Sequence, residues 1–133
     1  MGALERPVQA KPFHLIEAGG NAHCTGATVE ANRVGPAGTD HDMGWADGIS
    51  LACRDSVVRD NQVEDATDGG IVIFGAAGSL IEGNTVTALT RTMLGGINLG
   101  DFDPYAGDYT GTVVRGNTIE AKTAVIRVAM AMG

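Results

Sequence analysis

An all-β solenoid of three parallel sheets is the fold class this sequence predicts, on the strength of two repeated phrases and one compositional bias. The first phrase recurs as Ala27-Thr28-Val29-Glu30-Ala31-Asn32-Arg33-Val34, Ser56-Val57-Val58-Arg59-Asp60-Asn61-Gln62-Val63, Ser79-Leu80-Ile81-Glu82-Gly83-Asn84-Thr85-Val86 and Thr112-Val113-Val114-Arg115-Gly116-Asn117-Thr118-Ile119. Its asparagines are 29, 23 and 33 residues apart. Self-similarity at a period of roughly 20 to 50 residues marks stacked units that cannot bury their apolar faces alone. A second phrase sits between the copies: Asp47-Gly48-Ile49-Ser50-Leu51, Gly70-Ile71-Val72-Ile73-Phe74, Gly96-Ile97-Asn98-Leu99 and Ala124-Val125-Ile126-Arg127-Val128. The bias is 20 glycines and 5% aromatics beside abundant Val, Ile, Thr and Ala, which suits short strands and tight turns rather than helices.

The elements follow in order. Residues 1–12 hold two prolines and little periodicity, so they form an N-terminal arm, disordered or at most a partial cap. Residues 13–133 form one domain with no linker-like break. Each coil reads strand, turn, strand, Asn turn, strand, turn: a Gly-led strand, a small-residue turn, then two short strands flanking the asparagine, closing in about 22 residues or more. About four such coils stack at ~4.8 Å per rung, and the other two sheets serve as the crossover that parallel strands need. With the asparagine as origin, Val29, Val58, Ile81 and Val114 form one inward column and Val34, Val63, Val86 and Ile119 a second. Glu30, Arg59, Glu82 and Arg115 form an outward column of alternating sign, each cross-strand pair adding roughly 0.2–1 kcal/mol and penalising a slipped register.

Cys24 and Cys53 each lie eight residues before a ladder asparagine, so they are neighbours on adjacent rungs. In-register parallel neighbours aim their side chains the same way, which favours stacked buried thiols over a bridge. At the C-terminus, Val125, Ile126, Val128, Met130 and Met132 begin a coil that is left incomplete, as in a fragment of a longer solenoid or a rung covered by another subunit. Self-association through that rung is expected.

These phrases resemble the coils of right-handed parallel β-helix proteins, the pectate-lyase-like superfamily, from about Phe13 to Gly133. The resemblance implies a right-handed solenoid with an asparagine ladder, matched by Asn32, Asn61, Asn84 and Asn117, in the bend between the second and third sheets. It also implies an extracellular setting, although no signal peptide is written in the chain. The scaffold hosts lyases, hydrolases, epimerases, adhesins and tail spikes, so it fixes no activity.

A formal charge of −7 argues against nucleic acid or an anionic membrane as partner, since both demand a basic face. No 18-residue apolar run is present. Function is therefore sought in the loops, and successive copies of one turn, residues 35–46, 64–68, 87–95 and 120–123, stack along one edge. They gather Asp40, His41, Asp42, Trp45 and Asp47 near Asp65 and Asp68, with Arg91 a rung further. The resemblance implies that such loops and the adjoining Gly-led sheet build a polysaccharide groove.

The expected partner is an oligo- or polysaccharide, with Trp45 as stacking platform and Asp42 as a hydroxyl ligand. The loop after the third Gly-led strand would supply Asp101 and Tyr105 as an opposing wall, unless Phe102 and Tyr105 simply pack it back on the coil. If the module is an enzyme, two chemistries compete. Asp47 and Asp68 act as acid and base on a glycosidic bond, or Arg91 or His41 abstracts a proton beside a uronate while Asp40 and Asp42 hold calcium. The hydrolase pattern of adjacent aspartates after a coil strand is not met, because that coil reads Thr67-Asp68-Gly69-Gly70. Asp-Gly pairs are also what turns demand. The alternative function is a structural or assembly module without catalysis, joined through its uncapped end.

Overall fold

The computed structural model describes the backbone of His14–Ala18 and residues 24–101 and 107–133. Thirteen strands are described among them, all in parallel sheets. Sheet A is β1 (His14–Ala18), β4 (Asp47–Leu51), β7 (Gly69–Phe74), β10 (Met93–Gly100) and β13 (Ile126–Met132). Sheet B is β2 (Thr28–Glu30), β5 (Val57–Arg59), β8 (Leu80–Glu82) and β11 (Val113–Arg115). Sheet C is β3 (Arg33–Val34), β6 (Gln62–Glu64), β9 (Thr85–Ala88) and β12 (Thr118–Ala121). Every neighbour in a sheet comes from the adjacent coil, so the chain is a right-handed parallel β-solenoid. The arm 1–12 lies outside the described residues.

The register is the one the repeats dictate. Val29 pairs with Val58, Val58 with Ile81 and Ile81 with Val114, while Val34, Val63, Val86 and Ile119 pair in the same way. Sheet A adds Ile49, Ile71 and Ile97 beside Leu51, Ile73 and Leu99. These side chains close a dry core, each fully buried one contributing roughly 1.5–3 kcal/mol. Val114 and Ile119 are only partly buried, and Val125, Val128, Met130 and Met132 are 59, 45, 50 and 69% exposed, because among the described residues no strand lies beyond β11, β12 or β13.

Two corners turn on side-chain ladders. Between sheets B and C, Asn32 Nδ2 donates to Asn61 Oδ1 at 3.0 Å, Asn61 Nδ2 to Asn84 Oδ1 at 2.9 Å and Asn84 Nδ2 to Asn117 Oδ1 at 2.9 Å. Each oxygen also accepts the backbone N–H of the preceding asparagine at 3.0 Å. The corner requires a left-handed residue before each asparagine. Ala31, Asp60, Gly83 and Gly116 take φ of 55, 56, 67 and 61° there, which explains the drift of that position toward glycine. Between sheets A and B a hydroxyl ladder does similar work: Ser56 Oγ accepts Ala27 N–H at 3.0 Å and Ser79 Oγ accepts Ser56 N–H at 3.1 Å. Thr112 Oγ1 donates to the Ala76 carbonyl at 3.0 Å.

The charge column forms as expected, with Arg59 Nε 2.6 Å from Glu30 Oε2 and Arg115 Nε 2.9 Å from Glu82 Oε2. The hydrogen bond and charge of Glu30 push the Arg59 pKa up. The cysteines differ from expectation. Cys24 and Cys53 are joined as a disulfide across a Cα separation of 4.7 Å, inside the range a bridge tolerates, because the rung spacing itself supplies that distance. A thiol reagent is accordingly expected to find no free cysteine in the denatured, unreduced chain and two after reduction; two before reduction would refute the bridge.

Candidate functional site

The edge where sheet C turns into sheet A carries the polar side chains singled out by the sequence, and they divide into a clasp and a carboxyl pair. The clasp has two halves. Loop 35–46 closes on itself through Thr39 N–H to the Gly44 carbonyl at 2.7 Å and Gly44 N–H to the His41 carbonyl at 3.1 Å. Arg91 Nη1 donates to the Gly38 carbonyl, and Thr92 N–H donates to Asp40 Oδ2 at 3.2 Å. The Thr92 amide and the His41 ring hold the Asp40 carboxyl below its usual range.

Asp65 makes the second half of the clasp. It accepts Leu89 N–H at 2.8 Å, Thr90 N–H at 2.9 Å, Arg91 N–H at 3.1 Å and the Thr90 hydroxyl at 2.7 Å. Burial pushes its pKa up, but the Arg91, Thr90 and Leu89 donors outweigh it and leave the carboxylate below its ordinary value. Asp65 is thus a loop-organising group, which three converging amides make it.

The residues expected as bases and metal ligands lie on or beside this clasp. Arg91, expected as a proton-abstracting base, straps two loops through one Nη1 hydrogen bond to the Gly38 carbonyl, which leaves its charge in place. His41, the other candidate base, stands exposed with Nδ1 3.5 Å from Asp40 and Nε2 3.9 Å from Asp42. Asp40 and Asp42, expected as metal ligands, thus stand at the two ring nitrogens of one imidazole, and Asp42 is 93% exposed. Among the described residues no three His, Cys, Asp or Glu side chains converge as a metal site does. Asp101 is exposed beyond the opposite end of sheet A, and Tyr105 and Phe102 lie outside the described residues. Tyr109, given no role from sequence, donates its hydroxyl to the Gly100 carbonyl.

The carboxyl pair is Asp47 and Asp68. Asp47 opens β4 and is 9% exposed. Its Oδ1 accepts Gly69 N–H at 3.0 Å and its Oδ2 the Ser50 hydroxyl at 2.9 Å. Burial, then the negative charge of Asp68, push its pKa up to about 7 against the pull of those two donors. Asp68 immediately precedes β7, is half-buried, and has its own pKa raised by desolvation. Trp45, also half-buried, precedes Asp47 by two residues.

The outer face of sheet A next to the pair is floored by Gly69 and Gly95, paired in register. A Cβ on Gly95 would lie 2.2 Å from Asn98 Nδ2, and one on Gly69 would lie 3.1 Å from the same atom and 3.4 Å from Asp47 Oδ1. A side chain at Gly95 would collide with the Asn98 amide, whereas one at Gly69 would first meet Val72 Cγ2, at 2.3 Å. Asn98 Oδ1 is buried without a hydrogen-bond partner, a state that costs about 1–3 kcal/mol. Sequence reasoning passed over Asn98; its signal was a polar residue in the third Gly-led phrase where Ser50 and Val72 stand in the others.

The arrangement offers a buried carboxyl whose pKa is raised to about 7, a more exposed carboxyl one rung away, an amide and an indole. No protein-family model, curated protein or solved structure matches the chain.

Proposed function

We propose that this chain is a carbohydrate-active module that cleaves a glycosidic bond by acid–base chemistry, with Asp47 as the proton donor and Asp68 as the ionised partner. The carrying observation is the asymmetry of the pair: Asp47 is buried with its pKa at about 7 and Asp68 is the more open. Two carboxyls whose environments differ are what the two roles require. Asp47 gives its proton to the glycosidic oxygen as the bond to the anomeric carbon breaks. Asp68 takes a proton from the incoming water or attacks that carbon itself, and the electron pair of the broken bond leaves on the protonated oxygen.

Electrostatics supports a neutral glycan over a polyuronate. The pair is anionic, and the chain carries −7 overall. A uronate would bring a further negative charge beside Asp68.

The test is a screen of neutral and uronate polysaccharides, with and without calcium, for new reducing ends or unsaturated products. Reducing ends on a neutral glycan, lost by about 10²-fold or more in Asp68→Asn, are expected, and Trp45→Ala should weaken glycan binding. Unsaturated products from a uronate would move the chemistry to elimination and sink the assignment.

A further inference from the structure

We infer that the outer face of sheet B is a docking surface for a second copy of this chain, laid face to face with its solenoid axis reversed. The face has two columns. One is Glu30, Arg59, Glu82 and Arg115, paired in that order across the four strands. The other is Thr28, Val57, Leu80 and Val113 in the same register. Val57 and Leu80 are half-buried and Val113 is 43% exposed. These three apolar side chains project away from the core that Val58, Ile81 and Val114 fill, so the coil's own packing gives no reason for them.

The symmetry of the charges decides the occupant. Consider a two-fold axis parallel to the strands and lying in the plane of contact. It keeps each column opposite its own kind and reverses the order of rungs. Glu30 then faces Arg115 of the other copy, Arg59 faces Glu82, and the remaining two pairs follow by symmetry. Every contact along the column is between opposite charges, while Val57 meets Leu80 and Val113 meets Thr28. Such an isologous contact needs a patch that is its own complement, and alternation over an even number of rungs supplies one. The column is also electrically neutral on a chain of charge −7, so it is where two like-charged copies can approach. The strip is narrow, which makes the association weak and salt-sensitive.

Sedimentation equilibrium of the full chain over a concentration series tests this. At low ionic strength a reversible dimer is expected, weakening about tenfold or more in high salt. Val113→Glu should abolish it while leaving the thermal melt intact. Arg115→Glu, which turns two symmetry-related attractions into repulsions, should weaken it about tenfold. The fully inverted ladder, Glu30→Arg with Arg59→Glu, Glu82→Arg and Arg115→Glu, keeps every alternation within a chain and should dimerise like the parent. Mixed with the parent it should form no heterodimer, because Glu30 would then face a glutamate. A monomer at all concentrations, an association indifferent to Val113→Glu, or free exchange between parent and inverted chains overturns the inference.

Discussion

Asn84→Ala is expected to cost about 3–5 kcal/mol of stability and to lower the midpoint of thermal unfolding by roughly 10–20 °C. The side chain is 1% exposed and all of its hydrogen-bonding capacity is used. Its Oδ1 accepts from the Asn61 backbone N–H at 3.0 Å and from Asn61 Nδ2 at 2.9 Å. Its Nδ2 donates to the Val58 carbonyl at 2.9 Å and to Asn117 Oδ1 at 2.9 Å. Alanine leaves the buried Asn61 N–H without its acceptor and takes from Asn61 Nδ2 one of its two acceptors, the other being the Val29 carbonyl. Asn117→Ala removes the same kind of bonds from a part-buried position, where solvent can replace them, so its cost should be clearly smaller. Far-ultraviolet melts of the two variants check the gradient. Equal losses at both sites, or a loss under about 0.5 kcal/mol at Asn84, would mean that the ladder only decorates a corner the backbone makes by itself.

That ladder is also why so much of the fold could be read in advance. In a solenoid each rung repeats the environment of the last, so one asparagine serves as a ruler for every column. Val29, Val58 and Ile81, and the sign alternation of Glu30, Arg59, Glu82 and Arg115, fell into register from counting alone. The hydroxyl ladder was written in the same phrase, as Ser56, Ser79 and Thr112 at its first position, but serine and threonine are so common in turns that spacing alone did not distinguish it. The disulfide was harder. Stacking predicts closeness for Cys24 and Cys53, and 4.7 Å is compatible with either bonded or free sulfurs, so only the structure decides.

The loops were less legible because they depart from the repeat. Counting places Asp65, Asp40 and Arg91 along one edge, and so it placed them together correctly. It does not say which partner each takes. Asp65 turned to three consecutive amides of the next loop, and Arg91 reached back two rungs to Gly38; both depend on backbone directions that insertions of different length set. Asn98 was invisible for another reason. Its meaning comes from Gly69 and Gly95 beneath it, and a glycine in a strand phrase reads first as a turn or a bend.

Asp47→Asn should separate a structural aspartate from a catalytic one, because the two roles predict opposite combinations of stability and activity. The folded pKa of Asp47 is about 7 against 3.8 for the free side chain, so between those values the folded chain holds a proton that the unfolded chain has lost. Stability therefore falls as pH rises through that window, by about 1.4 kcal/mol per unit and about 4 kcal/mol in all, and levels off above it. The raised pKa of Asp68 acts in the same direction. Asparagine keeps the acceptor for Gly69 N–H and can donate to the Ser50 hydroxyl, which reverses its role. It carries no charge to desolvate, so Asp47→Asn should stabilise the fold at about pH 8 and flatten the pH dependence of the urea midpoint. If Asp47 only capped the strand, the amide would do that better and leave any glycan turnover unchanged. Under the proposed acid role, the proton that Asp47 can give away accounts for a carboxyl that weakens the fold above its pKa. Gain of stability together with loss of reducing-end release is the expected pair of results, and a parent whose stability does not decline between about pH 4 and pH 7 would remove the raised pKa on which the acid role rests.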